Sequence, residues 1–135
     1  MRSVTETTAR AIIRQGCLVL VMQGMGENFC HLGGGHLNKG ETPEQAVRRE
    51  LYEEIGAGTH SLKKRAIIEN DWMRFIDGEG CVLVHETMHL YDADIIMTPV
   101  VHGEYWVGMR WMEASPVLYD MLRPIKVIPY ILDNC

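Results

Sequence analysis

Long hydrophobic runs are missing from this chain. The longest uninterrupted apolar stretch, Cys17 to Met22, is six residues, about a third of what a membrane-spanning helix requires. No segment is therefore expected to cross a bilayer. The N-terminus, MRSVTETTARAIIRQG, lacks the apolar stretch of a secretory signal, and Glu6 argues against an organelle presequence, so a cytoplasmic location is expected. Cysteine is sparse: Cys17, Cys30, Cys81 and Cys135 stand far apart with no Cys-x-x-Cys pair. That spacing excludes a zinc ribbon or disulfide scaffold and predicts reduced, mostly buried thiols. An excess of basic charge is also absent. The formal charge is −5, which weighs against binding duplex nucleic acid through a basic surface. If so acidic a protein handles phosphates, a bound cation is expected to supply the positive charge.

What is present is ordinary globular composition. Of 135 residues, 47% are apolar and 23% charged, enough for a hydrophobic core and too few residues for two ordinary domains. With no repeat, low-complexity tract or Pro/Gly/Ser linker, we expect a single domain over residues 1–135. ARAIIRQGCLVLVMQ predicts two strands broken around Arg14–Gly16, consistent with a hairpin, and Phe29–Leu32 a brief strand before a glycine run. Farther on, KKRAIIEN, CVLVHETMHLY and GMRWM read as strands, with DWMRFIDGEG as a connection. Ser115-Pro116 should start a helix; a last helical piece after Pro124 would be broken or kinked by Pro129. Strands on both sides of a well-capped helix predict an α+β domain with helices covering a mixed sheet.

That helix carries the strongest local signal. Thr42 is a natural N-cap, Pro43 suits the first turn, Gln45 completes a capping box and Gly56 supplies a stop. Val47, Leu51 and Ile55 recur every four residues as an apolar stripe, while Glu50, Glu53 and Glu54 gather on an adjoining face. Like charges so spaced repel by roughly 0.2–0.5 kcal/mol per pair. An acidic run is commonly just a solvated face, but the spacing is larger than the helix. From Gly35, five residues lead to Glu41, seven more to Arg49-Glu50-Leu51, then one to Glu53-Glu54 and one to Gly56-Ala57. This 23-residue pattern resembles the signature box of the Nudix hydrolases, with every fixed position filled, in a small MutT-like member.

The resemblance implies a Nudix fold, an α/β/α sandwich with the box on a loop and helix. It also implies a Mg²⁺- or Mn²⁺-dependent hydrolase that splits the pyrophosphate linkage of a nucleoside diphosphate joined to a moiety X. Hard divalent cations prefer oxygen ligands and keep several waters, so three glutamates on one helical face suit them. By resemblance, Glu50 and Glu54 are the principal metal carboxylates, Glu53 a further or bridging one, and the Gly34 carbonyl an extra ligand. Arg49 is then expected to orient a catalytic glutamate, and Glu41 to support the loop and helix. Gly33, Gly34 and Gly35 permit a tight loop whose backbone amides can meet phosphate. The general base stays open between a box glutamate and a later carboxylate, for which Glu104 is the candidate and Glu86 and Glu79 compete.

Substrate choice lies outside the box. Trp72, Arg74, Tyr105, Trp106 and Trp111 could stack on a base or meet phosphates, with core packing the better expectation for Trp111. His85 and His89 read as structural histidines. The NADH-directed SQPWPxPxS array and the coenzyme A signature of the family are missing. The proline that many ADP-ribose hydrolases carry past the box has no counterpart, because none occurs between Pro43 and Pro99. Nucleoside triphosphates, nucleotide sugars and dinucleotides remain as substrates, and a homodimer is a further family expectation. The alternative is a regulatory module that binds a nucleotide without cleaving it; such modules commonly lose box carboxylates, which this chain keeps. A calcium-binding role fails on spacing, since no EF-hand loop occurs.

Overall fold

A computed structural model describes residues 1–56, 58–96 and 107–132. Strands β1 (Ser3–Ile12), β2 (Arg14–Gln15), β3 (Leu18–Gly24) and β4 (Gly33–His36) precede helix α1 (Pro43–Ile55). A long hairpin follows, of β5 (Gly58–Ile76) and β6 (Gly80–Ile96), and then β7 (Val107–Glu113). The described chain ends in α2 (Pro116–Met121), a 3-10 turn (Ile125–Val127) and α3 (Ile128–Leu132). One sheet has the order β4-β1-β6-β5, the other β2-β3-β7. Pairing of β1 with β6 is parallel and the remaining pairs are antiparallel, so the larger sheet is mixed as expected.

Side chains alternate across that sheet, and each face has its own core. Ala9, Ala11, Tyr91 and Ala93 meet Ala46, Val47, Leu51 and Ile55 of α1 on one side. Ile12, Met88 and Leu90 meet Leu118, Val127 and Ile131 from the C-terminal helices on the other. The result is the expected α+β layering, helices on both faces of a mixed sheet. Trp111 packs against the α1-side core, in keeping with the packing role read from its strand.

Helix α1 forms for the reasons its sequence gives. Gln45 N donates to Thr42 Oγ1 at 3.2 Å and Thr42 N to Gln45 Oε1 at 2.9 Å. At the other end Gly56 adopts φ 67° and donates its N–H to the Tyr52 carbonyl, a left-handed stop that costs glycine little.

Several expectations need correction. The glycine run is not a loop: Gly33–His36 is strand β4, paired with β1 from Thr8↔His36 to Ala11↔Gly33. The first predicted hairpin divides between sheets, because β1 joins the larger sheet while only Arg14 and Gln15 turn back onto β3. Asp71–Ile76, read as connection, continues β5 to a turn before Gly80. The helical piece after Pro124 is divided as expected, into the 3-10 turn Ile125–Val127 and α3, with Pro129 in the first turn of α3, where no N–H is needed from it. Cys17 is disulfide-bonded rather than reduced, Cys81 is free but exposed, and Cys30 is free and buried; Cys135 lies outside the described residues. No helix among the described residues is long and apolar enough to cross a membrane.

Candidate active site

The repulsion among the glutamates of α1 is met within the chain by one guanidinium. Arg49 donates Nε to Glu41 Oε2 at 2.8 Å and Nη2 to Glu41 Oε1 at 3.0 Å. Its Nη1 donates to Glu50 Oε1 at 2.9 Å and Glu53 Oε2 at 3.2 Å, and Nη2 also reaches the His36 carbonyl at 3.0 Å. Arg49 thereby ties the loop before the helix to two of its three clustered carboxylates. The hydrogen bond from Arg49, followed by that from Asn38 N, holds the Glu41 carboxyl down at about 2. Glu41 in turn raises the Arg49 pKa further above its ordinary value.

Glu54 faces inward instead, 9% exposed, and accepts the Gly34 N–H at 2.7 Å. The three glycines make this approach sterically possible. At Gly34, with φ 129°, a Cβ would lie 2.1 Å from the Ala9 carbonyl oxygen; at Gly35 it would lie 2.9 Å from the Glu50 carboxyl carbon. At Gly33 it would strike Leu51 Cδ2 at 2.9 Å. β4 therefore lies pressed between β1 and α1, with bare backbone facing the carboxylates.

The Gly34 carbonyl has a partner that sequence reasoning missed. Arg10, on β1, donates Nη1 to Gly34 O at 3.0 Å and to Leu32 O at 2.9 Å. Burial lowers the Arg10 pKa, opposed by the charges of Glu54, Glu86 and Glu50. A cation between two apolar positions in TARAII was the available signal.

Arg10 also lines a cleft of about 620 Å³ on the sheet face opposite α1, together with Thr8, Asn70, Trp72 and Glu86. Such a volume suits a nucleotide-sized ligand. Glu86, only 7% exposed, accepts the Thr8 hydroxyl at 2.6 Å. At the rim, Arg74 grips Glu6 with two bonds, at 2.7 and 3.0 Å, and lies 4.7 Å over the Trp72 ring. That grip, more than the neighbouring His36, pulls the Glu6 pKa down against burial.

The structure thus brings together Gly33, Gly34, Gly35, Glu41, Arg49, Glu50, Glu53 and Glu54 around α1. Of the later carboxylates, Glu86 lines the cleft, whereas Glu79 sits at the β5–β6 turn in an ion pair with Arg2 at 3.0 Å. Glu104, Tyr105 and Trp106 lie outside the described residues. His85 and His89 are engaged by Asp71 and Lys64 away from the cleft. Among the described residues no three metal-ligating side chains already converge.

Comparison with known proteins bears on the family and the fold. The family model described as NUDIX domain matches residues 5–128. The solved MutT NUDIX hydrolase from Burkholderia pseudomallei superposes with a TM-score of 0.67 at 21% identity, over 97% of this chain and 98% of that one. A NUDIX hydrolase from Nitrosomonas europaea gives 0.65 at 17%, over 97% and 88%. At such identities these two speak for the fold. RNA pyrophosphohydrolases from Photorhabdus laumondii and Edwardsiella ictaluri are 42% and 44% identical over 62 residues, 46% of this chain and 34% of each relative. The chain thus spans about a third of the length of these curated relatives. Matched along nearly all of its length by the family's model and folded like its solved members, the chain belongs to the NUDIX domain family.

Proposed function

We propose that this chain is a divalent-metal-dependent pyrophosphohydrolase that cleaves the linkage in a nucleoside diphosphate joined to a moiety X. The observation that carries this reading is the complete carboxylate set of α1, two of its three members held by Arg49 and the third by the Gly34 amide, with Arg10 joining the Gly34 carbonyl to a nucleotide-sized cleft. Glu50, Glu53, Glu54 and the Gly34 carbonyl offer an all-oxygen donor set, which fits Mg²⁺ or Mn²⁺. The missing Cβ at Gly35 leaves the Glu50 carboxyl room against the backbone. When bound, such an ion neutralises phosphate charge and lowers the pKa of a water.

The chain's own residues then have separable tasks. Arg49 fixes where Glu50 and Glu53 point. Glu53, with 48% of its side chain exposed and the longer of the Nη1 contacts, is the carboxylate freest to accept a proton from an attacking water. Gly34 N orients Glu54, and Arg10 places a positive charge where cleft and carboxylates meet. The names of the partial relatives add the 5′-polyphosphate end of an RNA to the substrates worth testing. The binding-only alternative gains no support from a box with all four of its glutamates.

Turnover of nucleoside triphosphates, dinucleoside polyphosphates, nucleotide sugars and a 5′-triphosphorylated RNA with Mg²⁺ or Mn²⁺ tests the reading. Glu53→Gln and Glu54→Gln should each lower turnover at least about 100-fold while thermal melting shows folded protein. Full activity in both variants, or no cleavage of any substrate by the wild type, would overturn it.

A further inference from the structure

We propose that Glu86 and Asn70 read the base of the substrate, and that the base is guanine. This rests on the nucleotide reading given above and names the substrate class of the same cleft. Glu86 is a nearly buried carboxylate on the cleft wall, and only its Oε2 is engaged, by the Thr8 hydroxyl. Oε1 carries no hydrogen bond among the described residues. Because Glu86 lines the cleft, a ligand's donors can reach that oxygen.

Of the other acids lining this cleft, Glu27 is exposed to solvent and Glu6 is already satisfied. Glu6 stands opposite Glu86 in the β1–β6 register but is held by both Arg74 nitrogens. Asn70 stands opposite Glu86 on the other side, in the β5–β6 register, which puts their Cβ atoms about 4.5–5.5 Å apart. Its amide lines the cleft and makes no hydrogen bond among the described residues. The wall therefore presents a fixed pair of acceptors beside an amide that can donate.

Guanine is the base whose edge complements this pair. Its N1–H and 2-amino group are adjacent donors, suited to both oxygens of one carboxylate, and O6 beside them accepts from the Asn70 amide. Adenine N1 and cytosine N3 would turn a lone pair toward the carboxylate. Uracil has one N–H, flanked by two carbonyl oxygens. A site built to pair with particular donors discriminates strongly against a ligand lacking them. Thr8 fixes the carboxylate's orientation, and Arg10, close enough to feel the Glu86 charge, offsets it.

Mononucleotides test the assignment without any cleavable linkage. Calorimetry should give GMP and 2′-deoxy-GMP similar affinities, IMP, which lacks only the 2-amino group, about tenfold weaker, and AMP weaker again. In Glu86→Gln the GMP-to-IMP ratio should shrink to within about twofold, because the acceptor pair is gone. Asn70→Ala should weaken GMP and IMP alike, since both carry O6, and at this partly exposed position it keeps the fold. Equal binding of GMP and IMP to the wild type, AMP as tight as GMP, or no GMP binding would overturn the proposal. So would a larger loss from removing the 2′-hydroxyl than from removing the 2-amino group, which would assign Glu86 to the ribose. The hydrolase reading fails separately: GMP bound with 2-amino dependence but GTP left uncleaved with Mg²⁺ removes the enzyme and keeps the base assignment. Cleavage of all four nucleoside triphosphates at one rate removes the base assignment and keeps the enzyme.

Discussion

Arg49 joins five acceptor contacts on three glutamates and one backbone carbonyl, and its partner Glu41 reports on them. Because Glu41 is held at about 2 from an ordinary 4.5, the contact favours the fold fully above the ordinary value. Its contribution fades as pH falls toward the lowered one. In Arg49→Gln, carbon-detected NMR titration of Glu41 should return its midpoint toward the ordinary range. Turnover should fall about 100-fold, as Glu50 and Glu53 lose their aim. The glycines separate fold from chemistry in another way. Gly34→Ala drives a Cβ into the Ala9 carbonyl at a left-handed φ, and we expect a loss above about 3 kcal/mol in denaturant unfolding. Gly35→Ala meets only the end of the Glu50 side chain, so it should stay folded and lose activity. The helix period makes the clustering of Glu50, Glu53 and Glu54 legible from spacing alone. Arg10 was not legible, because its acceptors exist only once β4 lies beside β1.

At the scale of elements, α1 is the part that local chemistry writes most completely. Cap, proline, apolar stripe and stop all fall where the sequence placed them. Thr42→Ala should cost about 1 kcal/mol, a fall in Tm of roughly 3 °C for a chain this size, read by calorimetry. Strand β4 is the opposite case. Glycine has little intrinsic strand preference, and Gly33–His36 becomes a strand because only bare backbone fits between β1 and the carboxylates of α1. The outer part of β5 was read as a connection for a related reason. Asp71, Met73 and Phe75 are exposed, so no apolar alternation marked this stretch, which pairing with β6 alone makes extended.

For the whole molecule, the decisive contact is the parallel pairing of β1 with β6, from Ser3↔Leu83 to Ile12↔Asp92. It fixes the middle of the larger sheet and supports both cores. A fragment of residues 1–76 retains every box residue but lacks β6, so it should show neither cooperative melting nor a sheet signal by circular dichroism; native-like melting would contradict this view of the fold. The same pairing constrains how the protein is born. Some 80 residues separate the two strands, on the order of ten seconds of translation. In the later part of that interval the acidic helix, complete at Ile55, still lacks the β6 residues it packs against. A message truncated before β6 should therefore yield a chain without the sheet on which α1 is seated.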